Sequence, residues 1–286
     1  SIHNPTHIKE RDKNVNTLKK LCGNNIIEVA VEIWNESVGS IVVCETVRKA
    51  ITSDLISAYD EIIVDISAMP RTISFNLIKR LLDLKRQSAN SNKKISILVC
   101  ENSSLDDGIK SIIATESAEF LQGLNAFTMG MEGTSTNTRV WIPILGLNEE
   151  TALHKIATFL RPDETCPVLP FPSANVRREE DIIRRHGNEL FTALEIEKRN
   201  IIYVPENQPI IMYQKLCNTV SFYESALNPS SVDTEINYVF SSQGSKIMDI
   251  GVLMAIIDLI KNGLTVGIAI IENEGYDKSQ TEYNPE

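Results

Sequence analysis

Ser241-Ser242-Gln243-Gly244-Ser245-Lys246 gathers three hydroxyls, a glycine and an ammonium into six residues. An apolar strand-like run, "INYVF", precedes it, and a long apolar helix-like run follows. Free backbone N–H groups at a helix start, aided by the helix dipole, suit an anion. Gly244 lets the backbone approach a ligand, Ser242 and Ser245 offer hydroxyls, and Lys246 offers charge. The loop fits neither GxxxxGK[ST] nor GxGxxG. The competing reading is a plain polar turn capped by Ser245.

Asp65 to Arg71 repeats the theme: an apolar strand, a small-residue loop, a basic residue, then a long helix. Pro70 suits a helix start. Arg71 has the planar fork that clamps phosphate. Ser67 would cap or donate, and Asp65 would orient Arg71 or a ribose hydroxyl. Gly146, in "LGLNEE", sits where a base or sugar would pack on backbone. Arg177 leaves a loop beyond a strand. Arg178, Arg184 and Arg185 are balanced by Glu179, Glu180 and Asp181, as on a solvated helix. His186 has no nucleophile placed beside it. There is no GxSxG, no HExxH and no CxxC, so neither a catalytic signature nor a metal or cofactor is expected.

These loops need elements to hold them. In the second half, strands are expected at 139–147, 165–173, 200–207, 236–242 and 264–272. Helices are expected at 148–160 with Asn148 as N-cap, and at 178–194, 209–227 and 246–261. Strands apolar on both faces, alternating with helices, predict an α/β fold: a Rossmann-like parallel sheet with helices on both faces. The first half repeats this less completely, with strands at 39–45, 60–67 and 93–102 and helices at 46–59 and 72–87. Residues 24–34 are apolar and fit either element. The expected division is an N-terminal half, 1–136, and a C-terminal Rossmann-like half, 137–286, linked by the small polar residues 129–138.

Composition narrows the partners. The net charge of −10 opposes general nucleic-acid binding, which needs a basic surface, but leaves room for a small anionic nucleotide in a focused pocket. The stretch 247–260 is broken by Asp249, Gly251 and Asp258, so no membrane span is expected. The polar N-terminus has no signal-peptide core, which points to the cytoplasm. Cys22, Cys44, Cys100, Cys166 and Cys217 are scattered and read as reduced, with Cys44 and Cys100 inside apolar strands.

Tandem Rossmann-like halves with a strand–"SSQGSKIMDIG"–helix element resemble the CRISPR-associated Rossmann-fold sensor domains and the related SAVED domains. In those families a small-residue turn before an apolar helix contacts a nucleotide second messenger. The matching positions are Ser242, Gly244, Ser245 and Lys246; Gln243, before a single glycine, departs from the family's paired glycines and threonine. The resemblance implies an oligonucleotide-sensing module in antiviral defence, homodimeric or coupled to an effector protein. The leading expectation is thus a sensor binding through Ser67, Arg71, Gly146, Arg177, Gly244, Ser245 and Lys246. The alternatives are a nucleotide-processing hydrolase or transferase, with Asp65 or Glu149 as acid/base, and a structural subunit with a degenerate pocket.

Overall fold

The computed structural model describes residues 5–23, 25–35, 37, 39–87, 90–100, 110–113, 118–126, 137–147, 150–227 and 235–277. The N-terminal half begins with helix α1 (Pro5–Cys22), whose proline takes the first helical position. Strands β1 (Trp34–Asn35) and β2 (Ser40–Ile41) form an antiparallel pair. Helices α2 (Val43–Ala50) and α3 (Ser53–Ser57) follow. Strand β3 (Glu61–Asp65), helix α4 (Arg71–Lys85) and strand β4 (Lys94–Leu98) make one β–α–β unit with parallel strands. Strand β5 (Lys110–Ile113) pairs with the last strand, β13 (Asn273–Asp277).

The expected strand at 39–45 shrinks to Ser40–Ile41, because Val43 and Val47, four residues apart, are both buried on one face of α2. The expected helix 46–59 breaks at Ile51, and Thr52 caps α3 by accepting the Leu55 N–H at 3.2 Å. Cys44 therefore lies on α2 and Cys100 is exposed beyond β4, so neither is a buried strand thiol. Residues 25–33 carry no regular element. Asn148, Glu149 and residues 129–136 of the expected link at 129–138 lie outside the described residues, and Thr138 already opens β7.

A seven-stranded Rossmann-like sheet is built mainly by the C-terminal half, but it takes β6 from the N-terminal half and so crosses the expected division at 136. Its strands are β6 (Glu119–Asn125), β7 (Thr138–Ile144), β8 (Glu164–Thr165), β9 (Val168–Pro170), β10 (Ile202–Val204), β11 (Ile236–Ser242) and β12 (Val266–Ile270). The order is β10-β9-β7-β11-β12-β6, with the short β8 beside β7. All pairings are parallel except β12–β6. Helices α5 (Glu150–Leu160) and α6 (Arg178–Gly187) cover one face through Leu153, Ile156 and Ile182 against Trp141 and Val239. Helices α7 (Pro209–Leu227) and α8 (Lys246–Lys261) cover the other through Met212, Leu216 and Val252 against Tyr238 and Phe240. That second core is continuous with Phe75, Ile78 and Leu81 of α4, so the two halves share it. Among the described residues no helix is long and apolar enough to cross a membrane.

The loops after β9 and β10 are tied by a buried ion pair. The Arg178 Nε donates to the Glu206 Oε1 at 3.1 Å, with the two residues 7% and 6% exposed. Breaking such a pair strands a charge in the interior. Glu206→Ala is expected to cost about 3–5 kcal/mol in urea unfolding, and the double replacement Arg178→Met/Glu206→Leu much less. Equal losses for both would refute the stranded-charge account.

Candidate functional site

Two strand-to-helix loops from opposite halves meet. The loop after β3 ends at Arg71, the first residue of α4, and the loop after β11 ends at Lys246, the first residue of α8. Each cation reaches the other's loop. The Arg71 Nε donates to the Asp249 Oδ2 at 2.8 Å, and its terminal nitrogen donates to the Gly244 carbonyl. The Lys246 Nζ donates to the Met69 carbonyl at 2.5 Å. Asp249 is 1% exposed and lies in the first turn of α8, where the helix dipole favours a carboxylate. Its other oxygen accepts from the Ser242 Oγ at 2.5 Å. Ser245 caps α8 by accepting the Met248 N–H at 3.4 Å. Arg71, Ser242, Gly244, Ser245 and Lys246 are thus brought together, and the Arg71 side chain stays 29% exposed.

Gly146 joins them through the sheet order. Leaving aside the short β8 beside β7, the parallel strands β7, β9, β10, β11 and β12 sit in chain order as 3-2-1-4-5, so the topological switch lies between β7 and β11. Ligands of such sheets bind beyond the strand ends at that point. Here the loops after β7 and β11 touch: a Cβ on Gly146 would lie 1.9 Å from the Gln243 carbonyl oxygen. The Gln243 N–H donates to the Ile144 carbonyl at 2.8 Å. His186 is buried in α6 with its Nε2 2.7 Å from the Gly146 carbonyl oxygen. A ring nitrogen facing a carbonyl acts as a donor, so His186 positions the loop after β7.

Ser67 plays a local role. Its N–H and hydroxyl both donate to the Asp65 Oδ1, at 2.9 and 2.6 Å, and its oxygen accepts the Cys100 N–H at 2.8 Å. The Ser67 hydroxyl and N–H hold the Asp65 carboxyl below the ordinary carboxylate range. Asp65 is therefore a turn former, bonded to Ser67 and not to Arg71. Arg177 stands exposed at the N-terminal flank of α6, on the loop after β9, the second strand over from β11. Its N–H donates to the Asn175 Oδ1 at 3.1 Å. An apolar groove of about 340 Å³ opens beside β3, lined by Ile51, Leu55, Tyr59, Ile63 and Met69 among others, and no cation lines it.

Sequence reasoning missed Asp249, the acceptor that organises the crossing. Its signal was an acid in the first turn of a largely apolar helix. It also missed a carboxyl pair at the seam. Glu119 lies opposite Ile270 in the β6–β12 register, and Glu272 follows two residues after β12 ends. The Glu119 Oε2 accepts the Ile41 N–H at 3.3 Å. Burial pushes the Glu272 carboxyl from its ordinary value near 4.5 up to about 7; Thr72 opposes the rise and the charge of Glu119 adds to it. Between those values the folded chain holds a proton that the unfolded chain has lost. Stability contributed here is therefore complete below about pH 4.5 and is lost as pH rises through 7. Glu272→Gln should match the wild type near pH 4.5 and exceed it by about 2–3 kcal/mol at pH 8. Parallel pH–stability curves for the two proteins would refute this.

No protein-family model matches the sequence, and no curated protein matches it.

Proposed function

We propose that the chain is a nucleotide-sensing binding module, taking a small anionic second messenger or short oligonucleotide and reporting its occupancy to a separate effector. The observation that carries this reading is the crossing of Arg71 and Lys246 at two helix N-termini. Two cations and two sets of helix-start N–H groups suit phosphate. The same cations bind one half of the molecule to the other. A phosphate that competes for them changes the contact between the halves, and a binding event becomes a structural signal. The resemblance of "SSQGSKIMDIG" to sensor-domain turns points the same way. Sensing is favoured over catalysis because the carboxylates of the two crossing loops are engaged, Asp249 with Arg71 and Ser242, and Asp65 with Ser67; the raised Glu272 carboxyl near Thr72 is the feature that favours the enzyme reading.

Thermal-shift titration with mononucleotides, dinucleotides and cyclic oligonucleotides tests the reading, followed by mass spectrometry of each mixture. A ligand at a hundred times its Kd should add about 2.7 kcal/mol of stability, with no new product mass. Arg71→Lys and Lys246→Ala should each weaken binding about tenfold or more, the scale of a lost charged hydrogen bond. A new product mass would instead mean an enzyme. Unchanged affinity in both variants would overturn the site.

A further inference from the structure

Gln243 sits at the switch point, and among the described residues nothing bonds its side chain. The residue is 8% exposed, and both its Oε1 and Nε2 are buried without a hydrogen-bond partner. Asn237, on the same face at the far end of β11, also has its Oδ1 buried without a partner among the described residues. Buried amides in native proteins are almost always paired, so an amide unbonded at both ends calls for a partner. Its position says where that partner arrives. Gln243 continues the phase of Val239 and Ser241, and the Ser241 Oγ accepts the Trp141 Nε1–H at 3.0 Å. Its Cβ lies 3.5 Å from the place a Gly146 Cβ would take. The side chain therefore starts between the loops after β7 and β11, on the sheet face that α5 and α6 cover and opposite the Arg71–Asp249 crossing.

We infer that Gln243 is the specificity-determining residue of this site, and that its amide pairs with the edge of a nucleobase. This rests on the nucleotide-binding reading above. A glutamine amide presents one donor and one acceptor side by side in a plane. It matches a base edge that offers the complementary acceptor and donor. It has no charge with which to hold phosphate, so its role is separate from that of Arg71 and Lys246. The amide is buried, so a base reaches it only by displacing what covers it. Gln243 is also the residue by which this loop departs from the sensor-domain pattern. It gives this chain a base reader of its own.

The test measures affinities of the wild type, Gln243→Met and Gln243→Glu for linear dinucleotides of adenine, guanine, cytosine and uracil, with inorganic pyrophosphate as a probe lacking a base. The wild type should rank the four dinucleotides over a range of tenfold or more. Gln243→Met keeps the side-chain length and removes the amide. It should compress that range to within about threefold, the residue of stacking and shape, and leave pyrophosphate binding unchanged. The ligand-free Met variant should also melt about 2–4 °C higher, because an unbonded amide has been removed. Gln243→Glu replaces the donor with an acceptor and should move preference toward bases that offer an amino group. A Met variant that keeps the wild-type ranking overturns the inference while the binding module stands. So does a wild type that binds pyrophosphate and every dinucleotide equally. No shift with any probe overturns the module and this inference together.

Discussion

The Asp249 carboxylate fixes more of this molecule than any other single group. It is fully buried, and a buried charge is costly unless it is paired and hydrogen-bonded. Its partners are the hydroxyl at the end of β11, the guanidinium at the start of α4 and the dipole of its own helix. Three elements must therefore arrive together: the β11–α8 turn, the first turn of α4, and the seam between the halves. Arg71 and Asp249 are 178 residues apart in the chain. The position of α4 on the sheet is thus set by a polar contact as well as by the core it shares with α8.

That constraint explains why the candidate site looks closed. Arg71 and Lys246 do not wait in open solvent; each spends its charge on backbone carbonyls or Asp249 across the seam. A ligand proposed to bind at this point would have to replace existing hydrogen bonds, so its net affinity would be a difference between two bonded states. The same exchange gives binding a consequence. Removing Arg71 from Gly244 and Asp249 loosens the link between halves, whereas a cation in an empty pocket would only hold the ligand. The buried pair of Arg178 and Glu206 does a different job, holding two loops on one edge of the sheet with no exposed face.

The fold was legible where the physics is local. Strand 236–242 and helices 209–227 and 246–261 have the bounds their sequences predict, because long apolar runs and clear caps admit one period. Segment 39–45 was misread because a short apolar run fits a strand and a helix equally, and burial of Val43 with Val47 decided for the helix. Strand β6, "EFLQGLN", was not seen: it is an antiparallel edge strand carrying exposed polar residues, so it lacks the continuous apolar signature of its neighbours. The positions of Arg71 and Lys246 at helix starts were readable, and so was their kinship as basic residues after small loops. Their convergence was not, since no local pattern says which distant carbonyl a cation will find.

The switch point shows the same limit from the other side. Gly146 was picked out as a place where something packs against bare backbone, and something does: the Gln243 carbonyl, far too close for any Cβ. A glycine required by a neighbouring loop and a glycine required by a ligand leave the same mark on the sequence. What separates them is the side chain beside the contact. A loop that merely packed on Gly146 would serve as well with an apolar residue at 243, which would bury no amide. The chain instead places a donor and an acceptor there and bonds neither. Packing alone accounts for the glycine, but it does not account for the glutamine.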